Sequence, residues 1–224
     1  MANLPMCFRF RPKEEIESYM GTYEYYSLVE MAQKSNLPVR AWQDLTIGVP
    51  KEDLNAYRLC NKYKDDVVNQ VALGQGLFIY GGVGSGKTVW SYKIARHYLE
   101  LLASTHRDEK SIPVYFANVP RLLDELRVAM RDADATKSLD HKIMHSDLVI
   151  FDDIGAENAT QWAKDKLYQY IDYRYANAKA CIFTSNVELE ALEPRIADRI
   201  NGSCTQVEFT MESKRKFGVL GGKQ

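Results

Sequence analysis

Eight consecutive residues, GGVGSGKT at 81–88, fit the pattern G-x-x-x-x-G-K-[ST] through Gly81, Gly86, Lys87 and Thr88. A phosphate needs backbone N–H groups turned inward around it. Gly81, Gly82, Gly84 and Gly86 permit that backbone, with Val83 and Ser85 between them. The loop opens a helical pattern that continues through Val89, and a helix N-terminus favours an anion. Lys87 would reach the β and γ phosphates of a nucleoside triphosphate, and the Thr88 hydroxyl would hold Mg²⁺. A glycine-rich turn without a ligand is the bland alternative, and the apolar strand GLFIY (76–80) just before the loop weighs against it.

A second group follows in LVIFDDIGAE, where an apolar run delivers Asp152 and Asp153 at its end. In open α/β sheets ligands bind outside the carboxyl ends of the strands, so these carboxylates should face the phosphate loop. Asp152 is placed to hold the metal and Asp153 to polarise an attacking water. A third apolar run, ACIFTSN (180–186), ends in Thr184, Ser185 and Asn186. Asn186 can reach a γ-phosphate or the water, or it can simply serve a turn. In PRIADRI, Arg195 and Arg199 are spaced i, i+4 and share one helical face. That face is either solvated or supplies an arginine to a phosphoryl-transfer transition state, and spacing does not choose between them.

The elements that must position these groups alternate along the chain. Strand patterns at 76–80, 113–119, 147–151, 180–186 and 205–209 are separated by helical patterns at 87–103, 120–130 and 160–178. Buried strands alternating with helices predict a parallel sheet covered on both faces, an α/β fold. Before the core, 51–73 is helical, and 13–33 is a helix interrupted near Gly21. There Ile16, Tyr19, Met20, Tyr23 and Tyr26 fall close to one stripe. The stripe either packs on the main domain or docks a partner. The organisation expected is a helical N-terminal extension at 1–40, a nucleotide-binding domain at 41–215 and a loose tail at 216–224. Arg121, Arg127, Arg131, Lys137 and Lys142 lie between the second and third strands. They form either a solvated helical face or contacts to single-stranded phosphates.

Composition sets limits. A formal net charge of −1 gives no basic excess for gripping duplex nucleic acid non-specifically. Cys7, Cys60, Cys181 and Cys204 are scattered without a C-x-x-C pair, so neither zinc nor a disulfide framework is expected. No apolar run approaches a membrane span and no secretory h-region opens the chain, so a cytoplasmic location is expected.

Taken in order, GGVGSGKT, LVIFDDIGAE, IFTSN and RIADRI resemble the AAA+ ATPases of the DnaC/DnaI helicase-loader branch, which includes the transposition helper IstB. The resemblance covers about residues 37–215. It implies a P-loop NTPase with a five-stranded parallel sheet in the order 5-1-4-3-2. It also implies Asp152 and Asp153 as the Walker B pair, Asn186 as sensor 1, Arg199 as a finger reaching a neighbouring subunit, and Arg215 as sensor 2. The segment near Trp42–Thr46 resembles the family's adenine-side region. The implied ligands are ATP or ADP with Mg²⁺. The implied partners are a DnaB-type replicative helicase, single-stranded DNA and further copies of the chain in a nucleotide-dependent oligomer. Two features depart from the pattern. Asp-Asp replaces the usual Asp-Glu, which shortens the second carboxylate and predicts slow ATP hydrolysis, stimulated by assembly or DNA. The region before Gly76 also lacks the ligands of the zinc module that DnaI-type loaders carry. The reading expected is an ATP-hydrolysing helicase loader. A transposition helper and a nucleotide-gated interaction module with little hydrolysis are the alternatives, and TSN–RIADRI argues against a small-molecule kinase.

Overall fold

A computed structural model of the chain describes residues 4–43, 51–105, 111–129, 132–155 and 160–211. Five parallel strands form one sheet in the spatial order β2-β3-β4-β1-β5. They are β1 (Gly76–Gly81), β2 (Val114–Asn118), β3 (Leu148–Ile154), β4 (Cys181–Ser185) and β5 (Cys204–Phe209). Read from the other edge, this is the 5-1-4-3-2 order implied by the resemblance. The strands pair in parallel, with Leu77 opposite Ile182 and Phe116 opposite Ile150.

Side chains alternate faces along each strand, and the two faces feed two cores. Leu77, Ile79, Ile150 and Ile182 pack under α5 (Lys87–Ala103) with Trp90, Ile94 and Tyr98. Phe78, Val149, Phe151 and Phe183 face the other way. They meet α6 (Val119–Ala129), α8 (Gln161–Ala176) and α9 (Pro194–Ser203) through Leu122, Leu126, Leu167, Ile171, Ile196 and Ile200. The three central strands are buried along most of their length, whereas β5 alternates, as an edge strand should. A further helix, α7 (Ala133–His145), stands between α6 and β3. Its single buried side chain is Ile143, so the apolar stripe that marks a helix in sequence is nearly missing. The Asp132 carboxylate starts it by accepting from Asp134 N and Ala135 N, both at 3.0 Å.

The N-terminal region is built into the first core. Helices α1 (Lys13–Tyr19) and α2 (Tyr23–Lys34) break where the sequence places Gly21, which adopts φ +82°. Phe8, Ile16, Leu28 and Met31 are buried in the same cluster as α5, whereas Met20, Tyr23 and Tyr26 are exposed. The chain then runs along the free edge of β2. Phe116 N donates to Ser35 O at 2.8 Å, and Asn36 Nδ2 donates to Phe116 O at 2.8 Å. Asn36 does this with φ +55°, a left-handed conformation that asparagine tolerates better than most residues. An edge strand with open N–H and C=O groups invites foreign pairing, and this segment closes it. A 3₁₀ turn at Val39–Trp42 follows, with Ala41 and Trp42 buried. Helices α3 (Leu54–Asp65) and α4 (Val67–Ala72) lead back to β1.

One buried cation ties the far end of the sheet. Arg174 of α8 is fully buried. Its guanidinium donates to the carbonyls of Ile143, Ser146, Asp147 and Ala180 and to Cys181 Sγ. It therefore joins the end of α7 and the starts of β3 and β4. Among the described residues no helix is long and apolar enough to cross a membrane.

Candidate functional site

The carboxyl ends of β1, β3 and β4 converge on a cleft of about 410 Å³. From β1 the chain enters the loop at Gly81, whose φ is +137° and where a Cβ would lie 2.0 Å from Phe209 O. Only glycine fits there. Gly84 and Gly86 also have positive φ, +80° and +108°, and Gly86 is the N-cap of α5. The loop turns on itself through Ser85 N donating to Gly82 O at 3.3 Å, with the Ser85 side chain buried. Val83, Gly84, Gly86, Thr88 and Val89 line the cleft.

Lys87 is nearly buried, 7% exposed, and its ammonium donates to Gly81 O and Gly82 O, each at 2.8 Å, and to Asn186 Oδ1 at 3.0 Å. Burial lowers its pKa, and the charges of Asp153 and Asp152 oppose that shift. Its hydrogen bonds all go to neutral oxygens, and the two carboxylates act on it through space.

Regular pleating would send Asp152 and Asp153 to opposite faces of β3. The β3–β4 register slips between Phe151 and Ile154, and Asp153 adopts φ +63°. This bulge re-aims the second carboxylate, so both line the cleft. A non-glycine residue at positive φ costs about 1–3 kcal/mol, the kind of strain that collects at functional sites. Asp153 N donates to Thr184 Oγ1 at 2.9 Å, which secures the bulge from β4.

The two carboxylates have different surroundings. Asp152 is 6% exposed; its Oδ1 accepts from Thr88 Oγ1 and Thr184 Oγ1, both at 2.7 Å, and its Oδ2 from Asn118 Nδ2 at 3.3 Å. Asp153 is half-buried and accepts from Asn186 Nδ2 at 2.6 Å. Burial raises the Asp153 pKa, the neighbouring Asp152 raises it further, and Lys87 opposes both. Asp152 is thus a fixed acceptor, and Asp153 a carboxylate whose basicity is enhanced.

The donors fit Mg²⁺. The Thr88 hydroxyl and an Asp152 carboxylate oxygen lie 2.7 Å apart. Two adjacent ligands of an octahedral ion at its usual bond length sit about 3 Å apart. Mg²⁺ takes its other ligands from water and phosphate. That suits a chain in which no cluster of three or more His, Cys, Asp or Glu side chains occurs among the described residues.

The structure thus brings Lys87, Thr88, Asp152, Asp153 and Asn186 into one connected network. It does not bring Arg199 into that cleft. Arg199 Nε donates to Asp172 Oδ1 at 2.7 Å and its guanidinium covers the Tyr175 ring at 5.2 Å. Arg195 lies on the same face of α9, over Tyr168 at 4.4 Å. Arg215, the tail 216–224, Arg131 and residues 44–46 of the Trp42–Thr46 segment lie outside the described residues. Three residues at the site were not singled out in the sequence: Arg40 and Tyr92, which line the cleft, and Asn118, which donates to Asp152. Asn118 carries the signal that marks Asn186, an amide at the end of an apolar strand. Arg40 and Tyr92 carry no such signal.

Residues 67–217 match the family model described as IstB-like ATP binding protein. The replicative helicase loader DnaI of Bacillus subtilis (strain 168) is 29% identical over 126 residues, 56% of this chain and 37% of that relative. The chain therefore spans little more than a third of that relative's length. A crystal structure of the DnaC helicase loader superposes with a TM-score of 0.62 at 20% identity, covering 76% of this chain and 99% of that one. A crystal structure of DnaI does so at 0.62 and 23% identity, covering 79% and 96%. The fold is that of an AAA+ P-loop NTPase.

Proposed function

The chain belongs to the family of IstB-like ATP-binding proteins, and from that premise we propose that it is an ATP-hydrolysing loader that places a hexameric replicative helicase on single-stranded DNA. The observation that carries the hydrolytic part is the continuous chain of bonds from Lys87 through Asn186 to Asp153, beside the Thr88–Asp152 pair. Lys87 leaves its carbonyl partners for the β and γ phosphates, while the loop N–H groups and the start of α5 hold the rest of the triphosphate. Thr88 and Asp152 would hold Mg²⁺, which supplies charge neutralisation on the phosphates. Asp153 orients a water for in-line attack and accepts its proton. Asn186 fixes Asp153 and lies where it can sense the γ-phosphate. The bond that breaks joins the γ phosphorus to the bridging oxygen, and ADP leaves with the electron pair.

The loader part rests on the likeness to DnaI and DnaC. In this reading copies of the chain assemble with nucleotide, Arg199 crosses to a neighbour's cleft, and the exposed tyrosines of α2 face the helicase. Basic residues of α6 and α7 would contact single-stranded phosphates; Arg121, paired with Glu125 at 2.9 Å, and Lys142 line the groove between those helices. The family description favours a second reading, an ATPase that assists a transposase. Co-purification decides between them. A loader is retained by a replicative helicase in the presence of ATP, and turnover rises with single-stranded DNA. Retention by a transposase and not by the helicase would overturn the loader reading.

A further inference from the structure

The N-terminal segment does more than close the edge of β2. Ser35 and Asn36 are bonded to Phe116, and Trp42 is buried with its carbonyl accepting from Arg96 Nη1 of α5 at 3.3 Å. Between these anchors the 3₁₀ turn carries Arg40, an exposed arginine that lines the cleft together with Lys87, Thr88 and Asp152. We propose that Arg40 is a γ-phosphate contact made in cis, which reports the nucleotide state to the N-terminal helices.

Three features place it there. The first is charge. Lys87 faces two carboxylates in the cleft, Asp152 and Asp153, so the pocket is short of positive charge before a triphosphate enters. Arg40 is a second cation among the lining residues, and among the described residues no ion pair claims it. The second is position. Tyr92 lies one helical turn beyond Thr88 on α5, on the same face. Burial pushes the Tyr92 phenol up, with Asp152 adding to the shift and the Arg40 charge opposing it. Arg40 and Tyr92 line one cleft with Thr88 and Asp152, the pair placed to hold Mg²⁺ beside the terminal phosphates. The third is chemistry. A planar guanidinium can bridge two phosphate oxygens, and it comes on a turn whose ends are already fixed, so little ordering is needed on binding.

The inference rests on the nucleotide-binding reading above, and it has a consequence beyond affinity. Arg40 is four residues from Asn36, and α2 ends just before it. An arginine drawn to the γ-phosphate pulls on the turn that ends the N-terminal region, whereas ADP leaves that arginine without its ligand.

The test is direct binding of a non-hydrolysable ATP analogue and of ADP, each with Mg²⁺, to the full chain and to Arg40→Ala, Arg40→Lys and Lys87→Ala. Arg40 is exposed, so its replacement should leave the melting temperature of the nucleotide-free protein unchanged. The expected result is that Arg40→Ala weakens the ATP analogue about tenfold, the loss of one charge-assisted contact. ADP should change less than twofold, and Arg40→Lys should fall between. Hydrogen exchange in 13–42 should then differ between the two nucleotides in the wild type and not in Arg40→Ala. Equal weakening of both nucleotides, or no change in either, would overturn the proposal. Lys87→Ala should lose both ligands; a wild-type chain that bound neither would overturn the nucleotide reading itself.

Discussion

Asn186 Nδ2 donates to Asp153 Oδ1 at 2.6 Å across the end of β3 and β4. The same amide accepts from Lys87 Nζ at 3.0 Å, so one side chain joins the Lys87 ammonium to the Asp153 carboxylate. A γ-phosphate that draws Lys87 away changes what holds Asn186, and through it Asp153. Replacing Asn186 with alanine should therefore separate binding from turnover. ADP affinity should stay within about threefold, while turnover should fall about 10²-fold, the scale seen when one preorganised donor is removed. Isothermal titration and a phosphate-release assay measure the two. Unchanged turnover would remove Asn186 from the mechanism.

Asp153→Asn keeps the side-chain size and tolerates the same left-handed backbone, but it loses the carboxylate proposed to act as base. ATP should still bind, and turnover should fall by at least about 10²-fold. In the wild type, the acid limb of the kcat–pH profile should lie above the ordinary aspartate pKa of about 3.9, because burial and Asp152 raise it. The sign for stability is the reverse of the usual carboxylate. A folded pKa above the unfolded one means that Asp153 supports the fold below its unfolded pKa and loses that support as pH rises through the folded value. Asp153→Asn should thus melt higher than wild type at pH 7, with the gain vanishing in acid. A melting temperature equal to wild type at both pH values would contradict the strained, desolvated environment.

Arg199 is held by Asp172 and Asp198 against Tyr175, away from its own chain's cleft. If it serves a neighbour's ATP, Arg199→Ala should bind nucleotide normally and lose the stimulated part of hydrolysis. Mixed with Lys87→Ala it should recover activity, since an intact arginine from one chain can complete an intact loop in the other. Stimulation that does not depend on protein concentration, with no recovery in the mixture, would place Arg199 outside the reaction.

Two arginines of the chain should differ widely in what their replacement costs. Arg174→Ala empties a fully buried site and strands carbonyls of four residues. It should cost roughly 3 kcal/mol or more in urea unfolding, given about 1–3 kcal/mol for each unsatisfied buried group that cannot relax. Arg195→Ala removes a half-exposed side chain stacked on Tyr168, and should stay within about 0.5 kcal/mol. A mild Arg174 variant would mean that water enters and replaces its bonds.

The residues of the cleft divide by how far apart their determinants lie in the chain. GGVGSGKT announces its chemistry locally, because glycine backbone freedom and the start of α5 are properties of a dozen adjacent residues. The apolar runs that end in Asp152, Asp153 and Asn186 are legible for a similar reason: a strand buried on both faces leaves no polar positions until it emerges. With the alternation of strands and helices, those runs determined the fold class. The order of the strands came only through the likeness of the motifs to a known family. Other features belong to the tertiary structure alone. Whether two adjacent aspartates face one cleft depended on a one-residue slip against β4 and a left-handed Asp153, which the run FDD does not encode. Asn118 reaches Asp152 because β2 and β3 are neighbours although a whole helical pair separates them in sequence. Arg40 lines the cleft on a segment that Asn36 ties to Phe116, eighty residues further along the chain. Periodicity records which face of an element is buried, not which element buries it, and those pairings are decided by the closing of the sheet.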